Sequence, residues 1–380
     1  MVSLNTTLSA DAAYMRSELQ AANSYKKARA LQRFRSALGS RDTAPCDMVF
    51  IGDSITEGYP PYGIAANLPF GSCWIQKLGT RLRSRFPTTG AAGSVGYVAA
   101  GRGLNVLPTD YPVSFNLGVA AVSYGLGLRN RFLNAANARV VLTVPTGATS
   151  VRVFWGREPS TTSFSWKINS GATTNVSTTG ASSDFQYTDI SGVTGGDTVT
   201  IEYVSGAGVF IDGFFVFGGD ETKGVRLWDS ARASATAADF IAASTQRWFR
   251  AFSVIQPSLV AIGLGANDAN TSGGNKTASQ FRADIESLLA LIRAQITNSP
   301  SIVLCPEWLV GTPREAWSGY VDALYALAAS DSDICVFDWQ DVIWKSVSTD
   351  TAAGMLTDQT HPGVSGSDAL AAAWERFLIP

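Results

Sequence analysis

The chain has 380 residues, of which 46% are hydrophobic and 16% charged, and a formal net charge of −2. This composition is typical of one large or two ordinary folded domains and argues against disorder. No basic stripe favours nucleic-acid binding, and no apolar run approaches the roughly 20 residues needed to cross a bilayer.

The N-terminus and the cysteines bear on the cellular compartment. Residues Met1–Thr7 lack the basic and apolar segments of a signal peptide, so either export does not use that route or the chain begins after a removed signal. The cysteines form no C-x-x-C pair and lie apart from the single histidine, so we expect no zinc site. Cys305 and Cys335 lie in apolar runs typical of a core, whereas an approach of Cys46 to Cys73 is left open.

The first hundred residues alternate helical and strand patterns. A loose helical period predicts an N-terminal helix over Ala10–Leu38, and a stricter period predicts a helix over Trp74–Phe86. Between them, the apolar run Met48–Ile51 predicts a buried strand. Residues Gly90–Pro112 are rich in glycine and small side chains, which indicates surface loops.

Residues 113–219 show no helical period. Ser, Thr, Gly and Asn separate short β-type runs there, which are Val140–Val144, Val151–Trp155, Phe164–Ile168, Thr198–Tyr203 and Val209–Ile211. Short strands at regular spacing predict a β-sandwich, and in particular a jelly roll, over residues 115–219.

After residue 219 apolar strands alternate with amphipathic helices. The predicted strands are Val225–Trp228, Leu259–Ile262, Ile302–Leu304 and Ile334–Phe337, and the predicted helices are Ala237–Ile255, Ala278–Thr297, Ala316–Ala329 and Val364–Phe377. This alternation indicates a parallel sheet covered on both faces, with Met48–Ile51 as its first strand. We therefore predict a helical extension (1–39), an α/β domain (40–114 and 220–380) and a β domain (115–219) inserted into it.

The predicted strand Met48–Ile51 leads into the turn Gly52–Gly58, which carries Ser54. A serine on a sharp turn after a buried strand can serve as a nucleophile, although such a turn alone is usually only a turn. The only histidine, His361, would have to be the base, and Asp358 could accept a hydrogen bond from its Nδ1. An isolated Asp-x-x-His pair is more often structural, so this assignment depends on the rest of the chain.

A third segment, Gly265–Asp268, directly follows the predicted strand Leu259–Ile262. Ligands bind at the carboxyl ends of parallel strands, where Ser54 and Asn267 would both lie. The Asn267 amide can donate a hydrogen bond to the negative oxygen that develops in acyl transfer. The segment also suits an ordinary turn, because Asn and Asp favour turns.

Taken together, Gly52–Gly58, Gly265–Asp268 and Asp358–His361 resemble blocks one, three and five of the SGNH (GDSL-type) hydrolases in residue type, order and placement. The resemblance covers about residues 40–112 and 221–380. It implies a flavodoxin-like, three-layer α/β/α domain. The roles that it implies are Ser54 as nucleophile, His361 as base, Asp358 as orienting acid, and the Ser54 N–H and the Asn267 side chain as oxyanion donors.

The second block of that family normally supplies a glycine N–H as a further oxyanion donor. The matching place is residues 229–232, where Ala231 stands instead of glycine, and Ser230 or a glycine elsewhere stays an alternative. We expect Glu57 to line the first helical turn after Ser54. The residues expected to support the loops of the site are Asp53, Gly265 and Asp268.

The predicted insert and the stretch Gly93–Val98 resemble one subset of the family, in which a carbohydrate-binding-like β-sandwich interrupts the hydrolase. That subset includes actinobacterial proteins and phage tail esterases. The resemblance implies an acetylated or otherwise acylated glycan as substrate and suggests an extracellular or virion-associated location. Four aromatic residues could stack on sugar rings, although aromatic strand residues more often belong to a core; they are Trp155, Trp166, Tyr187 and Tyr203.

We therefore predict a metal-independent serine esterase without a cofactor, acting on a small acyl ester and in particular on an O-acetyl group of a saccharide. Acyl transfer to an alcohol acceptor uses the same three residues and is one alternative. A glycan-binding or virion adhesion module with residual esterase activity is another. We expect no nucleic-acid partner and no membrane span, and the oligomeric state is left open.

Overall fold

The structure is a computed structural model that describes residues 27–58, 69–103, 110–116, 119–122, 124–242, 246–309, 311–342 and 346–379. The strands in these ranges are β1 (Pro45–Gly52), β2 (Gly96–Ala99), β3 (Val113–Phe115), β4 (Val119–Val122), β5 (Asn130–Leu133), β6 (Arg139–Thr143), β7 (Ser150–Arg157), β8 (Ser163–Ile168), β9 (Thr174–Ser177), β10 (Ser183–Ser191), β11 (Thr198–Ser205), β12 (Val209–Phe217), β13 (Gly224–Ala231), β14 (Leu259–Gly263), β15 (Ser301–Leu304) and β16 (Ile334–Val336). The helices are α1 (Gln32–Gly39), α2 (Ser54–Glu57), α3 (Trp74–Arg85), α4 (Ala237–Ile241), α5 (Arg250–Ile255), α6 (Ala266–Ala269), α7 (Ala278–Arg293), α8 (Trp317–Ser330), α9 (Trp339–Val342), α10 (Val347–Ala352) and α11 (Val364–Leu378). None of these helices combines the length and the apolar character needed to cross a bilayer.

A five-stranded parallel sheet forms the centre of the α/β part, in the order β13-β1-β14-β15-β16. Numbered along the chain, these strands follow the order 2-1-3-4-5, which is that of flavodoxin-like sheets. β14 is the central strand and β1 is one of its two neighbours, with Gly52 of β1 opposite Gly263 of β14. The predicted parallel sheet is confirmed.

Helices cover both faces of this sheet. Along β1, Met48 and Phe50 belong to one buried cluster with residues of α1, α3 and α11. Val49 and Ile51 belong to a second buried cluster with residues of α4, α7 and α8. Successive strand residues point to opposite faces, so a continuous apolar run such as Met48–Ile51 is what a strand covered on both sides requires.

Two antiparallel sheets lie between β1 and β13 in the sequence. One has the order β10-β7-β12-β5-β4, with β2 also paired to β12, and the other has the order β3-β6-β11-β8-β9. A third buried cluster contains residues of both sheets, among them Val153, Phe214 and Ile201. Each of the five β-type runs predicted in this part of the chain overlaps a strand.

The prediction of surface loops over Gly90–Pro112 is wrong for β2, which pairs antiparallel with β12. Gly96 has a φ of 72°, and a Cβ there would lie 2.5 Å from the Leu227 carbonyl oxygen of β13. Tyr97 stacks on Trp228 of the parallel sheet with a centroid distance of 5.8 Å. The antiparallel region and the α/β part therefore share one buried cluster across this contact.

One further expectation differs from the structure. The predicted single helix Ala237–Ile255 is two helices, α4 and α5, because Ala242 has a ψ of 134° and ends α4. The predicted N-terminal helix lies mostly outside the described residues, and its described part contains α1. All four cysteines are free and buried, so Cys46 and Cys73 form no disulfide.

Candidate active site

Ser54 begins α2 directly after β1 ends. A Cβ on Gly52 would lie 2.3 Å from Thr56 Oγ1, so this sharp turn requires glycine. Asp53 caps α2, because its Oδ1 accepts a hydrogen bond of 2.8 Å from the Ile55 N–H. The turn places Ser54, half-buried, at the carboxyl end of a central strand.

Ser54, His361 and Asp358 form one chain of hydrogen bonds. His361 Nδ1 lies 2.8 Å from Asp358 Oδ2, and His361 Nε2 lies 2.9 Å from Ser54 Oγ. Because a carboxylate can only accept, Nδ1 carries the proton, and Nε2 is left to accept from the Ser54 hydroxyl. The fold thus joins residues that lie 307 positions apart in the sequence.

The loop that carries His361 is held by its own backbone. Asp358 Oδ1 accepts from the N–H groups of Thr360 at 3.1 Å and His361 at 2.7 Å, and Gln359 makes the turn with a φ of 67°. The Trp308 indole N–H donates to the Thr360 carbonyl at 3.0 Å. Burial raises the pKa of Asp358, but the hydrogen bonds from His361 outweigh it and hold this pKa below its ordinary value. The Asp358 carboxylate is therefore ionised at neutral pH.

Asn267 lies beside the serine turn, on α6 after β14. Its Nδ2 donates to Asp53 Oδ2 at 2.8 Å and to the Ala235 carbonyl at 3.1 Å, so both amide hydrogens are engaged. Gly265 starts this turn with a φ of 133°, which favours glycine. The position of Asn267 is thus fixed by hydrogen bonds to two other loops.

Asp268 is fully buried next to Asn267. Its Oδ1 accepts a hydrogen bond of 2.9 Å from the Ala237 N–H at the start of α4, and burial raises its pKa to about 7. This hydrogen bond joins the segment after β14 to the start of α4. Among the described residues, the Ser54 hydroxyl contacts His361 and not Asp268.

Glu307, which the sequence analysis did not single out, is a second acid beneath the serine turn. It lies fully buried after β15, and its Oε2 accepts from the Ala266 N–H at 3.4 Å. Its carboxyl group lies close enough to that of Asp53 for the two groups to interact. Burial raises the pKa of Asp53 to about 6, and burial together with the Asp53 charge raises the pKa of Glu307 well above its ordinary value. The only sequence signal was an acid at the carboxyl end of a predicted buried strand.

The structure argues against Ala231 as an oxyanion donor. Ala231 is fully buried, and its N–H donates to Asp229 Oδ1 at 3.0 Å. Three residues later Ser234 has a φ of 64°, a left-handed conformation that favours glycine. The N–H groups of Ser234 and Ser54 have no acceptor within the described ranges. Ser234 lies outside residues 229–232, the segment in which the sequence analysis sought a further donor.

Glu57 is the centre of a buried ion network, where we had expected only the lining of a helical turn. Its carboxylate contacts Arg102 Nε at 3.5 Å and Arg129 Nη1 at 3.2 Å, and it accepts from the Gly103 N–H at 2.9 Å. Arg129 also pairs with Asp229 at 3.2 Å. Because Arg129 follows β4 and precedes β5, this network ties the serine turn to the antiparallel region.

A cleft of about 410 Å³ opens beside Asn267. Its lining is polar and consists of Ser234, Thr236, Asp239, Asn267, Asn270, Ser272, Gly273 and Gly274. Of the four aromatic residues considered for sugar stacking, Tyr187 is exposed by 48%, Trp155 is buried, and Trp166 and Tyr203 pack partly buried against the core between the antiparallel sheets.

Comparison with protein-family models and with curated protein sequences gave no match. Among solved structures, a peptidoglycan O-acetylesterase is 14% identical, with 92% of this chain and 96% of that chain covered and a TM-score of 0.66. An acetyl-xylooligosaccharide esterase variant from Geobacillus Stearmophilus is 12% identical, with 90% and 97% covered and a TM-score of 0.41. A family two carbohydrate esterase from Clostridium thermocellum is 14% identical, with 70% and 97% covered and a TM-score of 0.31. The first similarity establishes a shared α/β fold, and the lower TM-scores add nothing to it.

Proposed function

We propose that this protein is a serine esterase of the SGNH type that hydrolyses small acyl esters, in particular O-acetyl groups on a saccharide. The observation that carries the proposal is the hydrogen-bonded chain from Ser54 through His361 to Asp358 at the carboxyl end of β1. The fold shared with a peptidoglycan O-acetylesterase agrees with an ester substrate of this kind. Fold alone does not assign a reaction, so the geometry of the site has the greater weight.

In the proposed reaction, His361 Nε2 accepts the Ser54 proton while Oγ attacks the ester carbonyl. Asp358 stabilises the imidazolium that forms and keeps its Nδ1–H oriented. Nε2 then gives the proton to the leaving alcohol, which departs and leaves an acyl-Ser54 ester. A water molecule, deprotonated by the same nitrogen, releases the acid and restores the serine.

The negative oxygen of the tetrahedral intermediates needs donors that are not already used. We assign this role to the N–H groups of Ser54 and Ser234, in place of the predicted Ala231, and to the Asn267 side chain. Of the two Asn267 bonds, the longer one to the Ala235 carbonyl is the one that we expect the substrate oxygen to replace.

The saccharide is supported by the polar cleft beside Asn267, whose hydroxyl, amide and carboxyl groups suit a substrate rich in hydroxyls. We further propose that residues 115–219 form a β-sandwich domain inserted into the α/β domain of 40–114 and 220–380, after an N-terminal extension of residues 1–39. The core cluster shared by the two antiparallel sheets supports this division. The pairing of β2 with β12 adds a strand from outside the insert to one of its sheets.

The test is hydrolysis of p-nitrophenyl acetate by the wild type, Ser54→Ala and His361→Ala. We expect both variants to lose at least about a thousandfold in kcat, as removal of a nucleophile or its base does in serine hydrolases. Ser287→Ala, an exposed serine on α7, is the matched control and should keep the wild-type rate. Wild-type rates in both Ser54→Ala and His361→Ala would exclude the mechanism.

The substrate class is tested separately, by measuring acetate released from acetylated polysaccharides. We expect release by the wild type and none by Ser54→Ala. Activity on the aryl ester without release from any acetylated glycan would retain the esterase and reject the saccharide.

A further inference from the structure

Asp53 and Glu307 are two buried acids that interact beneath the serine turn. Asp53 follows β1, Glu307 follows β15, and β14 lies between those strands. A Cβ on Gly263 of β14 would lie 3.2 Å from Thr56 Oγ1 and 3.6 Å from Glu307 Oε1. Gly263 therefore lies against both Glu307 and Thr56 of α2, the helix that Asp53 caps.

Of the four carboxyl oxygens of Asp53 and Glu307, one has no hydrogen-bond donor among the described residues. Asp53 accepts from the Ile55 N–H with Oδ1 and from the Asn267 amide with Oδ2, and Glu307 Oε2 accepts from the Ala266 N–H. Glu307 Oε1 is buried and receives no N–H or O–H from the part of the chain that the structure describes. Because the neighbour of Glu307 is another carboxyl group, a hydrogen bond between them requires a proton on one of the two.

The negative charges around Asp53 and Glu307 favour retention of one proton by this pair of carboxyl groups. The charged groups nearest the pair are Asp268, which acts on Glu307, and Glu57 and His361, which act on Asp53. Glu57 is itself paired with Arg102 and Arg129, so Asp268 and Asp53 are the charges that most disfavour ionisation of Glu307. Two adjacent buried carboxylates do not both ionise, since each disfavours the charge of the other. Asp53 has two N–H donors that stabilise its negative form, whereas Glu307 has one, and that bond is long.

We propose that Glu307 is a positioning residue for the esterase reaction: as a neutral acid it donates a hydrogen bond to Asp53, which in turn holds the Asn267 amide beside Ser54. This role rests on the proposed function, because it acts on an oxyanion donor. Loss of the proton would place a second negative charge against Asp53 and disturb the contact with Asn267. The reaction should therefore fall off at alkaline pH as Glu307 ionises.

The first experiment is the pH profile of kcat/KM on p-nitrophenyl acetate for the wild type, Glu307→Gln and Glu307→Ala. A glutamine amide can donate to Asp53 and accept from the Ala266 N–H at every pH. We expect Glu307→Gln to keep the neutral rate within about threefold and to lose the alkaline decline, and Glu307→Ala to lose about tenfold to a hundredfold, less than removal of an oxyanion donor itself. The matched control is Glu286→Gln, an exposed glutamate on α7, which should match the wild type.

A second readout does not depend on activity. The unfolded chain ionises Glu307 above about pH 4.3, whereas the folded chain keeps the proton to a higher pH. The Tm of the wild type should therefore fall relative to that of Glu307→Gln as pH rises from about 5 to about 8. Equal pH dependence of Tm in the two proteins would overturn the buried proton even if Glu307→Ala does not fold.

An alkaline decline that persists in Glu307→Gln would also reject the proposal, because Asp268 or another group would then cause it. So would wild-type kcat/KM in folded Glu307→Ala. Ser54→Ala separates the two levels of inference. If Ser54→Ala is inactive while Glu307→Ala equals the wild type, only the role of Glu307 fails, and if Ser54→Ala is active, the esterase mechanism itself fails.

Discussion

The two sides of Ser54 are built in different ways. On the base side, His361 and its partner Asp358 lie three positions apart and are partly exposed, at 14% and 25% of their side chains. On the proposed oxyanion side, Asp53, Asn267 and Glu307 follow three separate strands, and the two acids are almost fully buried. The base side is therefore a local motif positioned by one turn, whereas the oxyanion side depends on the packing of three strands.

The largest expected effect lies on the base side. In Asp358→Asn the amide can no longer stabilise the imidazolium and can select the wrong tautomer, so we expect kcat on p-nitrophenyl acetate to fall about ten-thousandfold with little change in fold. Circular dichroism and Tm should stay close to wild type, because Asp358 is partly exposed. A loss below about tenfold would mean that His361 does not need this partner.

The next effect lies on the oxyanion side. Asn267→Ala removes one donor, and we expect kcat to fall about a hundredfold to a thousandfold. Combination with Glu307→Ala sharpens the comparison, since a residue that acts through Asn267 should add little once Asn267 is gone. Multiplicative losses in the double variant would show that the two residues act independently.

The smallest effect on catalysis is expected when the ion pairs between the serine turn and the antiparallel region are removed. Arg129→Met leaves Glu57 and Asp229 buried without this cation, and we expect the free energy of unfolding to fall by about 3–5 kcal/mol in urea titrations. We expect kcat at a temperature where the variant is folded to fall only about tenfold, through displacement of the turn.

The control for this effect is Arg152→Met on β7. Arg152 pairs with Asp189 at the surface, with exposed fractions of 28% and 58%, so its loss should cost no more than about 1 kcal/mol. Equal destabilisation by the two arginine variants would remove the buried network as a link between the regions.

The same contrast explains what the sequence could predict. The parallel sheet followed from continuous apolar runs such as Met48–Ile51, and the positions of Ser54 and His361 followed from short motifs at strand ends. Both signals lie within a few neighbouring residues. The structure brings these motifs to one edge of the sheet. This was expected, because the carboxyl ends of parallel strands lie at the same edge.

The missed features depend on contacts between distant residues. β2 is only four residues long and is defined by its pairing with β12, more than a hundred positions later. Glu307 and Arg129 are charged residues that sequence patterns place on a surface, and only the packing of other elements buries them. Ser234 was missed because its left-handed backbone conformation is not visible in its residue type.

The central claim is that Ser54 is a nucleophile activated by His361. It is tested most directly by treating the protein with diethyl p-nitrophenyl phosphate and locating the phosphorylated residue by peptide mass spectrometry. We expect stoichiometric labelling at Ser54, loss of esterase activity in proportion to the label, and no labelling of His361→Ala on the same timescale. Full loss of activity with the label on another residue, or equal labelling of Ser54 without His361, would contradict the claim.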